Sequence, residues 1–166
     1  MPLDKAYALI LDQSKQRRKE NKLFLDKLKK IKPSDLDVVT NEFHEEAFAV
    51  IDCLKCANCC VTTGPLLKNK DITILSKHFK MREAEFATKY LKTDEDGDYV
   101  FKHMPCPFLK SDNYCSVYSG RPNACREYPH TQQRNIAQKI PITYLNSLIC
   151  PAVAVIVEKL KAHYQK

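Results

Sequence analysis

Apolar residues return every three or four positions over the first 32 residues of the chain, which is the period of a helix with one buried face. The repeat is clear over residues 3–11 and again over residues 24–31. It predicts one long helix from residue 3 to about residue 32, with a break near Ser14.

Pro33 ends this helix, and the Ser34 side chain could cap the next one. A second helical stripe of apolar residues then extends from Leu36 to Val50. The pattern predicts a helix that leads the chain directly to Cys53.

The middle of the chain predicts two short helices, one capped by Asp71 and reaching Phe79, the other passing through Glu85 to Leu91. The carboxylate-rich run at 93–98 is similar to a calcium loop but lacks the glutamate that closes an EF-hand. This run therefore predicts a simple turn.

Extended segments at 99–102 and 114–118 predict a small β-hairpin. Pro122 predicts the start of a helical turn that contains Cys125, and Pro151 predicts the start of a C-terminal helix. The expected fold class is mainly α with a small β-hairpin, in a compact single domain whose irregular, cysteine-rich centre is organised by metal.

Within that single domain we expect three parts. They are a basic helical region at residues 1–50, a cysteine-cluster metal-binding region at 51–150, and a C-terminal helix at 151–166 that packs on the core.

Composition is that of a folded soluble protein, with 44% hydrophobic and 28% charged residues. The N-terminus lacks the features of a secretory signal, and the longest apolar stretch, 148–157, is far shorter than the roughly 20 residues of a membrane span. We therefore expect a cytoplasmic protein with no membrane contact. In such a reducing compartment, cysteines more often bind metal than form disulfides.

Cysteine spacing is the strongest chemical signal in the sequence. Cys53, Cys56 and Cys59 are each separated by two residues, a spacing that lets neighbouring sulfurs share one metal ion. Cys60 follows Cys59 directly, and adjacent side chains in extended backbone point to opposite faces, so this pair is expected to serve two metals. The remaining cysteines, which could return to the same region in space, are Cys106, Cys115, Cys125 and Cys150.

The identity of the metal stays open at this level. Two Zn²⁺ ions, one iron–sulfur cluster with spare thiols, or a bridged dinuclear site would all use this set of eight. Cys53, Cys56 and Cys59 reproduce the start of a bacterial ferredoxin run, and proline follows both Cys106 and Cys150. Against an iron–sulfur assignment, the next cysteine in that run should come three residues later, not immediately.

Other polar residues are weaker candidates as metal ligands. The histidines are interpreted as surface or packing residues and are left out of the site; they are His44, His78, His103, His130 and His163. Arg121 and Arg126 flank Cys125, where support of the thiolates or pairing with Glu127 is favoured over binding an anionic substrate.

Residues 15–32 carry nine basic side chains against Glu20 and Asp26, which is enough to attract an acidic partner such as nucleic acid. A solvated outer helix face is the favoured interpretation. No aromatic residues interleave the central charges to stack on single-stranded bases. Nucleic-acid binding therefore stays open as a lesser alternative.

The order of these motifs resembles the YkgJ-type cysteine-cluster family, over roughly residues 50–150. The motifs are the CxxCxxCC run at 53–60, Asp71-Ile with the helix containing Glu85-Phe86 and Tyr90-Leu91, Cys106-Pro-Phe-Leu109, Cys115-Ser-Val-Tyr118, and 121–129 around Cys125. The resemblance implies a domain proposed to chelate zinc or iron through all eight cysteines. The chain departs from the family pattern at Ala57 and Tyr114, where glycine is common, and near Arg82, where a capping serine or threonine is usual.

The leading functional hypothesis is therefore a metal-binding module with one or two cysteine-ligated centres. An iron–sulfur oxidoreductase or electron carrier is the second hypothesis, and a nucleic-acid-binding module with structural metal is the third. No phosphate-binding glycine loop, nucleophile elbow or paired-histidine helix is present in the sequence. Whether the protein is an enzyme is left open.

Overall fold

The computed structural model describes residues 3–165, and Met1, Pro2 and Lys166 lie outside the described residues. Within that span the secondary structure is mainly helical, with one two-stranded antiparallel sheet, which confirms the predicted mainly α fold with a small β-hairpin. That metal organises the cysteine-rich centre stays a prediction. The elements in chain order are α1 Lys5–Gln16, α2 Arg18–Ile31, α3 Leu36–Val50, α4 Cys53–Cys56, α5 Asn58–Thr62, α6 Asn69–His78, α7 Glu83–Tyr90, β1 Leu91–Thr93, β2 Tyr99–Phe101, α8 Asn123–Glu127, α9 Ile136–Ser147 and α10 Pro151–Tyr164.

The chain divides into two units. One consists of residues 57–128 and is called here the cysteine-rich unit; the other combines 3–56 with 129–165 and is called the helical unit. In neither unit, within the described span, does a helix combine the length and hydropathy that a bilayer crossing requires.

In the helical unit, the long N-terminal helix is broken at Arg17, whose φ of −90° and ψ of 12° separate α1 from α2. The sequence predicted the break near Ser14. Ser14 instead lies buried within α1, where its hydroxyl donates to the Ser147 carbonyl oxygen at 2.9 Å. The predicted break is confirmed but lies three residues later.

The prediction that Ser34 caps α3 is wrong. Asp35 occupies the capping position but makes no side-chain capping hydrogen bond. Its carboxylate instead accepts a hydrogen bond from the Tyr164 hydroxyl at 2.9 Å. The cause is a turn at Pro33, whose carbonyl oxygen accepts the Leu36 N–H at 3.2 Å and so delays the start of the helix.

The C-terminal helix α10 forms the core of the helical unit, as its apolar sequence predicted. It packs against α1, α3 and α9, and its apolar residues Val153, Ile156, Val157 and Leu160 are fully buried. The sequence assigned no element to α9, which has Pro141 inside it. Proline disfavours a helix interior, but Asp37 compensates at the start of α9, where its carboxylate accepts the N–H groups of Asn135 and Ile136.

In the cysteine-rich unit, the hairpin forms between other strands than predicted. β2 pairs with β1 in the register Leu91 to Phe101 and Thr93 to Tyr99, and not with residues 114–118. The predicted turn at 93–98 explains the choice. Asp94 accepts the N–H groups of Asp96 and Asp98, so the closing loop is short and costs little entropy.

An aromatic cluster fills the core of the cysteine-rich unit. Phe86, Phe101 and Phe108 are buried together, and the Phe79 ring stacks on the Phe108 ring with centroids 5.1 Å apart. Cys106 and Cys115 pack against the edge of this cluster and are themselves partly buried. The apolar core therefore sets the positions of two of the predicted metal ligands.

Candidate metal centre

All eight cysteines are free thiols, and the two units divide them into two groups. The cysteine-rich unit contains Cys59, Cys60, Cys106, Cys115 and Cys125, and the helical unit contains Cys53, Cys56 and Cys150. The chain passes from one unit to the other inside the CxxCxxCC motif, between Cys56 and Ala57.

Cys59 and Cys60 lie on the short helix α5, not in extended backbone. Their sulfurs are 4.0 Å apart. Two thiolates bound tetrahedrally to one zinc at about 2.3 Å are themselves separated by about 3.8 Å. The expectation that adjacent cysteines must point to opposite faces is therefore wrong, because successive helical side chains diverge by only about 100°.

Cys106 is tied to this pair through the backbone, since its N–H donates to the Cys60 carbonyl oxygen at 2.8 Å. Burial raises the pKa of the Cys106 thiol to about 11, while hydrogen bonds from the N–H groups of Phe108 and Leu109 to its sulfur oppose the rise. Such donors also stabilise a thiolate once a metal has displaced the proton. The backbone N–H groups after Cys106 are thus placed to donate to a metal-bound sulfur.

Cys115 and Cys125 complete the group in this unit. Burial raises the pKa of both thiols, that of Cys125 to about 12, and the charges of Cys60, Cys106 and Cys115 raise the pKa of Cys125 further. The loop after Cys106 holds Cys115, because Leu109 and Cys115 form an antiparallel bridge and the Ser116 N–H donates to the Phe108 carbonyl oxygen at 2.8 Å.

Arg121 places a positive charge beside these thiols. Its Nε donates to the Tyr118 carbonyl oxygen at 3.0 Å, and its guanidinium lies 3.6 Å from the centroid of the Tyr118 ring. The pKa of Cys60 falls to about 7, mainly through its hydrogen bond with Cys59 and also through the charge of Arg121, against the effect of burial. Arg126, by contrast, is exposed and donates to the Asn123 side chain at 3.3 Å.

The helical unit presents the second group of thiols. Cys150 is buried at the start of α10, and burial raises its pKa to about 11. The N–H groups of Val153 and Ala152 lower the pKa of Cys150, whereas the charges of Cys56 and Cys53 raise it. A thiolate at a helix N-terminus is stabilised by the aligned peptide dipoles, so Cys150 is well placed as a ligand.

Four of the five histidines are either buried against other residues or exposed to solvent. His44 is buried, with Nδ1 2.6 Å from the Thr131 hydroxyl, and burial lowers its pKa. His78 and His103 are exposed, and His163 lies 3.8 Å from the Asp35 carboxylate. His44 is therefore a packing residue, and His78, His103 and His163 are surface residues.

Asp71 is a residue whose role the sequence analysis underestimated. The sequence predicts a helix cap at Asp71, yet its carboxylate also accepts the N–H of Asn123 at 3.0 Å, at the start of the helix that bears Cys125. The partner is 52 residues away in sequence, so no local pattern could have predicted the contact.

The donor set fits a thiophilic metal. Free thiols, N–H groups directed at sulfur and a nearby arginine are what a thiolate-bound zinc or iron–sulfur centre requires. Among residues 3–165, however, no three Cys, His, Asp or Glu side chains are already arranged as a complete ligand set. Metal binding would therefore draw the thiols of a group together as it displaces their protons.

Residues 52–145 match a family model described as "CxxCxxCC: Putative zinc- or iron-chelating domain". No curated protein and no solved structure matches the chain significantly.

Proposed function

Because the chain belongs to the CxxCxxCC family, whose model spans residues 52–145, we propose that it binds zinc or an iron–sulfur cluster through its eight cysteines. The observation that carries this proposal is the grouping of the thiols. In the cysteine-rich unit, the Cys59 and Cys60 sulfurs are 4.0 Å apart, and the Cys106 N–H donates to the Cys60 carbonyl oxygen at 2.8 Å. The charges of neighbouring thiols also raise the pKa of Cys125 and, in the helical unit, that of Cys150.

We assign one centre to each group. The cysteine-rich unit would bind metal through Cys60, Cys106, Cys115 and Cys125, with Cys59 as a fifth thiol 4.0 Å from Cys60. The helical unit would bind metal through Cys53, Cys56 and Cys150.

The protein's own residues prepare these thiols for ligation. Arg121 offsets negative charge as the thiols of its group lose their protons, and backbone N–H groups do the same at Cys106 and Cys150. Zinc would act as a structural cross-link, whereas an iron–sulfur cluster would add electron transfer. A cytosolic location, where thiols stay reduced, agrees with eight free cysteines.

Anaerobic purification followed by metal analysis and a visible spectrum tests the proposal. Zinc in a colourless protein would assign a structural role, and iron with acid-labile sulfide in a brown protein would assign a redox role. Protein that contains neither metal, and takes up neither after reconstitution, would refute the proposal.

Two single substitutions test the assignment of centres. Cys125→Ser removes a ligand only from the cysteine-rich unit, and Cys150→Ser removes one only from the helical unit. We expect each variant to lose part of the metal and the double variant to lose nearly all of it. If Cys125→Ser alone releases all metal while the fold is retained, the two-centre assignment is wrong.

A further inference from the structure

The positive charge of this protein is concentrated in one segment. Residues 15–32 contain nine of the 27 basic residues and two of the 20 acidic residues, which leaves 18 of each in the rest of the chain. The formal net charge of +7 therefore resides entirely in 18 consecutive residues. Solubility alone would not require the net charge to lie in one segment.

The fold places most of these charges on the outer half of helix α2. Phe24, Leu25 and Leu28 are buried on its inner face. Arg18, Lys19, Lys22, Lys27, Lys29 and Lys30 are all exposed. At about 100° and 1.5 Å per residue, these six side chains cover roughly half the circumference of the helix over a length of about 18 Å.

Both acidic residues in the segment already have partners. Glu20 pairs with the buried Lys161 at 2.6 Å, and Asp26 pairs with Lys22 at 2.8 Å. Arg18, Lys19, Lys27, Lys29 and Lys30 have no carboxylate partner anywhere in residues 3–165. This set of five cations is called here the α2 basic surface.

We propose that the α2 basic surface binds the phosphate backbone of double-stranded DNA. A helix of about 10–12 Å diameter fits a major groove about 12 Å wide, and charges on both of its flanks would then face phosphates on both sides. The major groove of double-stranded RNA is too deep and narrow for the same approach.

The alternatives fit the surface less well. A membrane-bound helix inserts an apolar face, but the apolar face of α2 is buried in the helical unit. Its exposed apolar residues, Leu23 and Ile31, are eight positions apart and form no continuous face. Single strands are held by aromatic stacking, and the only aromatic residue of α2, Phe24, is buried.

Binding of a labelled 20-base-pair DNA duplex, measured by fluorescence anisotropy over a range of salt concentrations, tests the proposal. Neutralising five phosphates predicts a slope of log K against log salt of about −4.5, a loss of several hundred-fold between roughly 50 and 200 mM. The full chain is used in both its metal-loaded and metal-depleted forms, so that a failure to bind metal is distinguished from a failure to bind DNA.

A triple variant localises the interaction. Lys19, Lys27 and Lys30 are changed to Gln, which keeps helix propensity nearly constant, and the slope should become shallower by about 2.7. The matched control changes Lys70, Lys77 and Lys92 to Gln, three exposed lysines of the cysteine-rich unit, and should keep a slope near that of the native protein.

Several outcomes would overturn the proposal. They are no binding at low salt, an equal loss in the control variant, or tight binding to vesicles rich in phosphatidylserine without binding to DNA. Equal affinity for an RNA duplex of the same length would exclude seating in the major groove.

Discussion

Asp71 joins the first turn of α6 to the first turn of α8. Its Oδ2 accepts the Lys68 N–H at 2.9 Å, which caps α6, and its Oδ1 accepts the Asn123 N–H at 3.0 Å. The residue is only 4% exposed, so water cannot replace either bond. Since Cys125 lies two residues after Asn123, one buried carboxylate fixes the helix that presents this thiol.

We expect Asp71→Ala to destabilise the cysteine-rich unit by about 3 kcal/mol, because two buried hydrogen bonds to a charged group are lost. Asp71→Asn should cost less, since one side-chain oxygen remains as an acceptor. Both variants should also bind metal more weakly. Urea denaturation and metal titration of the two variants measure the effects.

Glu85 is the matched control. Its carboxylate accepts the Arg82 N–H at 3.0 Å and so caps α7 in the same way, but it is exposed and has no second helix to hold. Glu85→Ala should cost about 1 kcal/mol or less and leave metal affinity unchanged. If Asp71→Ala likewise costs about 1 kcal/mol or less and leaves metal affinity unchanged, Asp71 acts only as a helix cap.

Ala57→Gly should stabilise the protein by about 1 kcal/mol. Ala57 has a φ of 45° and a ψ of 11°, a left-handed conformation that strains any residue with a Cβ. The family resemblance places glycine at this position, immediately after the second cysteine of the motif. Ala84→Gly, in the exposed face of α7, should instead destabilise, and thermal melts of both variants make the comparison.

Cys60 should react with iodoacetamide before the other half-buried thiols of the metal-free protein. With a pKa of about 7, roughly half of its thiol is ionised at neutral pH, compared with a few per cent for an ordinary cysteine. The hydrogen bond with Cys59 is the main cause of this lowered pKa, so Cys59→Ala should raise the pKa of Cys60 and slow the reaction. Peptide mapping by mass spectrometry after short exposure identifies the labelled residue, and first labelling at Cys125 would contradict the assignment.

Stability of the metal-free protein should fall above about pH 9. Burial raises the pKa values of Cys106 and Cys150 to about 11 and that of Cys125 to about 12, so these thiols keep their protons in the folded state after the unfolded chain has lost them. The contribution of these protonated thiols to the free energy of unfolding is complete below pH 9 and is lost as the pH rises through 11 to 12. Each thiol adds a slope of about 1.4 kcal/mol per pH unit in that window.

Cys125→Ala provides the comparison, since its denaturation free energy should decline less steeply above pH 9 than that of the native sequence. The depressed pKa of Cys60 acts in the opposite direction, so the contribution of Cys60 to the free energy of unfolding grows between pH 7 and 9.

Metal affinity should rise with pH, because ligation must displace the thiol protons. An affinity independent of pH would argue against thiolate ligands.

Local patterns were enough to predict much of this protein. The apolar repeats over residues 3–31 and 36–50 predicted α1, α2 and α3, and Pro151 predicted the start of α10. The CxxCxxCC spacing indicated metal chemistry, and the matching family carries the same motif. These features depend on residues a few positions apart, for which periodicity and spacing are direct signals.

Only the tertiary structure decided which residues meet across the chain. It paired β2 with β1 and placed the Asn123 N–H on the Asp71 carboxylate, and it assigned Cys53, Cys56 and Cys150 to the helical unit and the other five thiols to the cysteine-rich unit. These contacts depend on how helices and strands pack, and the packing energy is distributed over many apolar residues distant in sequence. The sequence by itself therefore determined the eight cysteines and the spacing of the CxxCxxCC motif, and the packing within each unit decided which of its residues become neighbours.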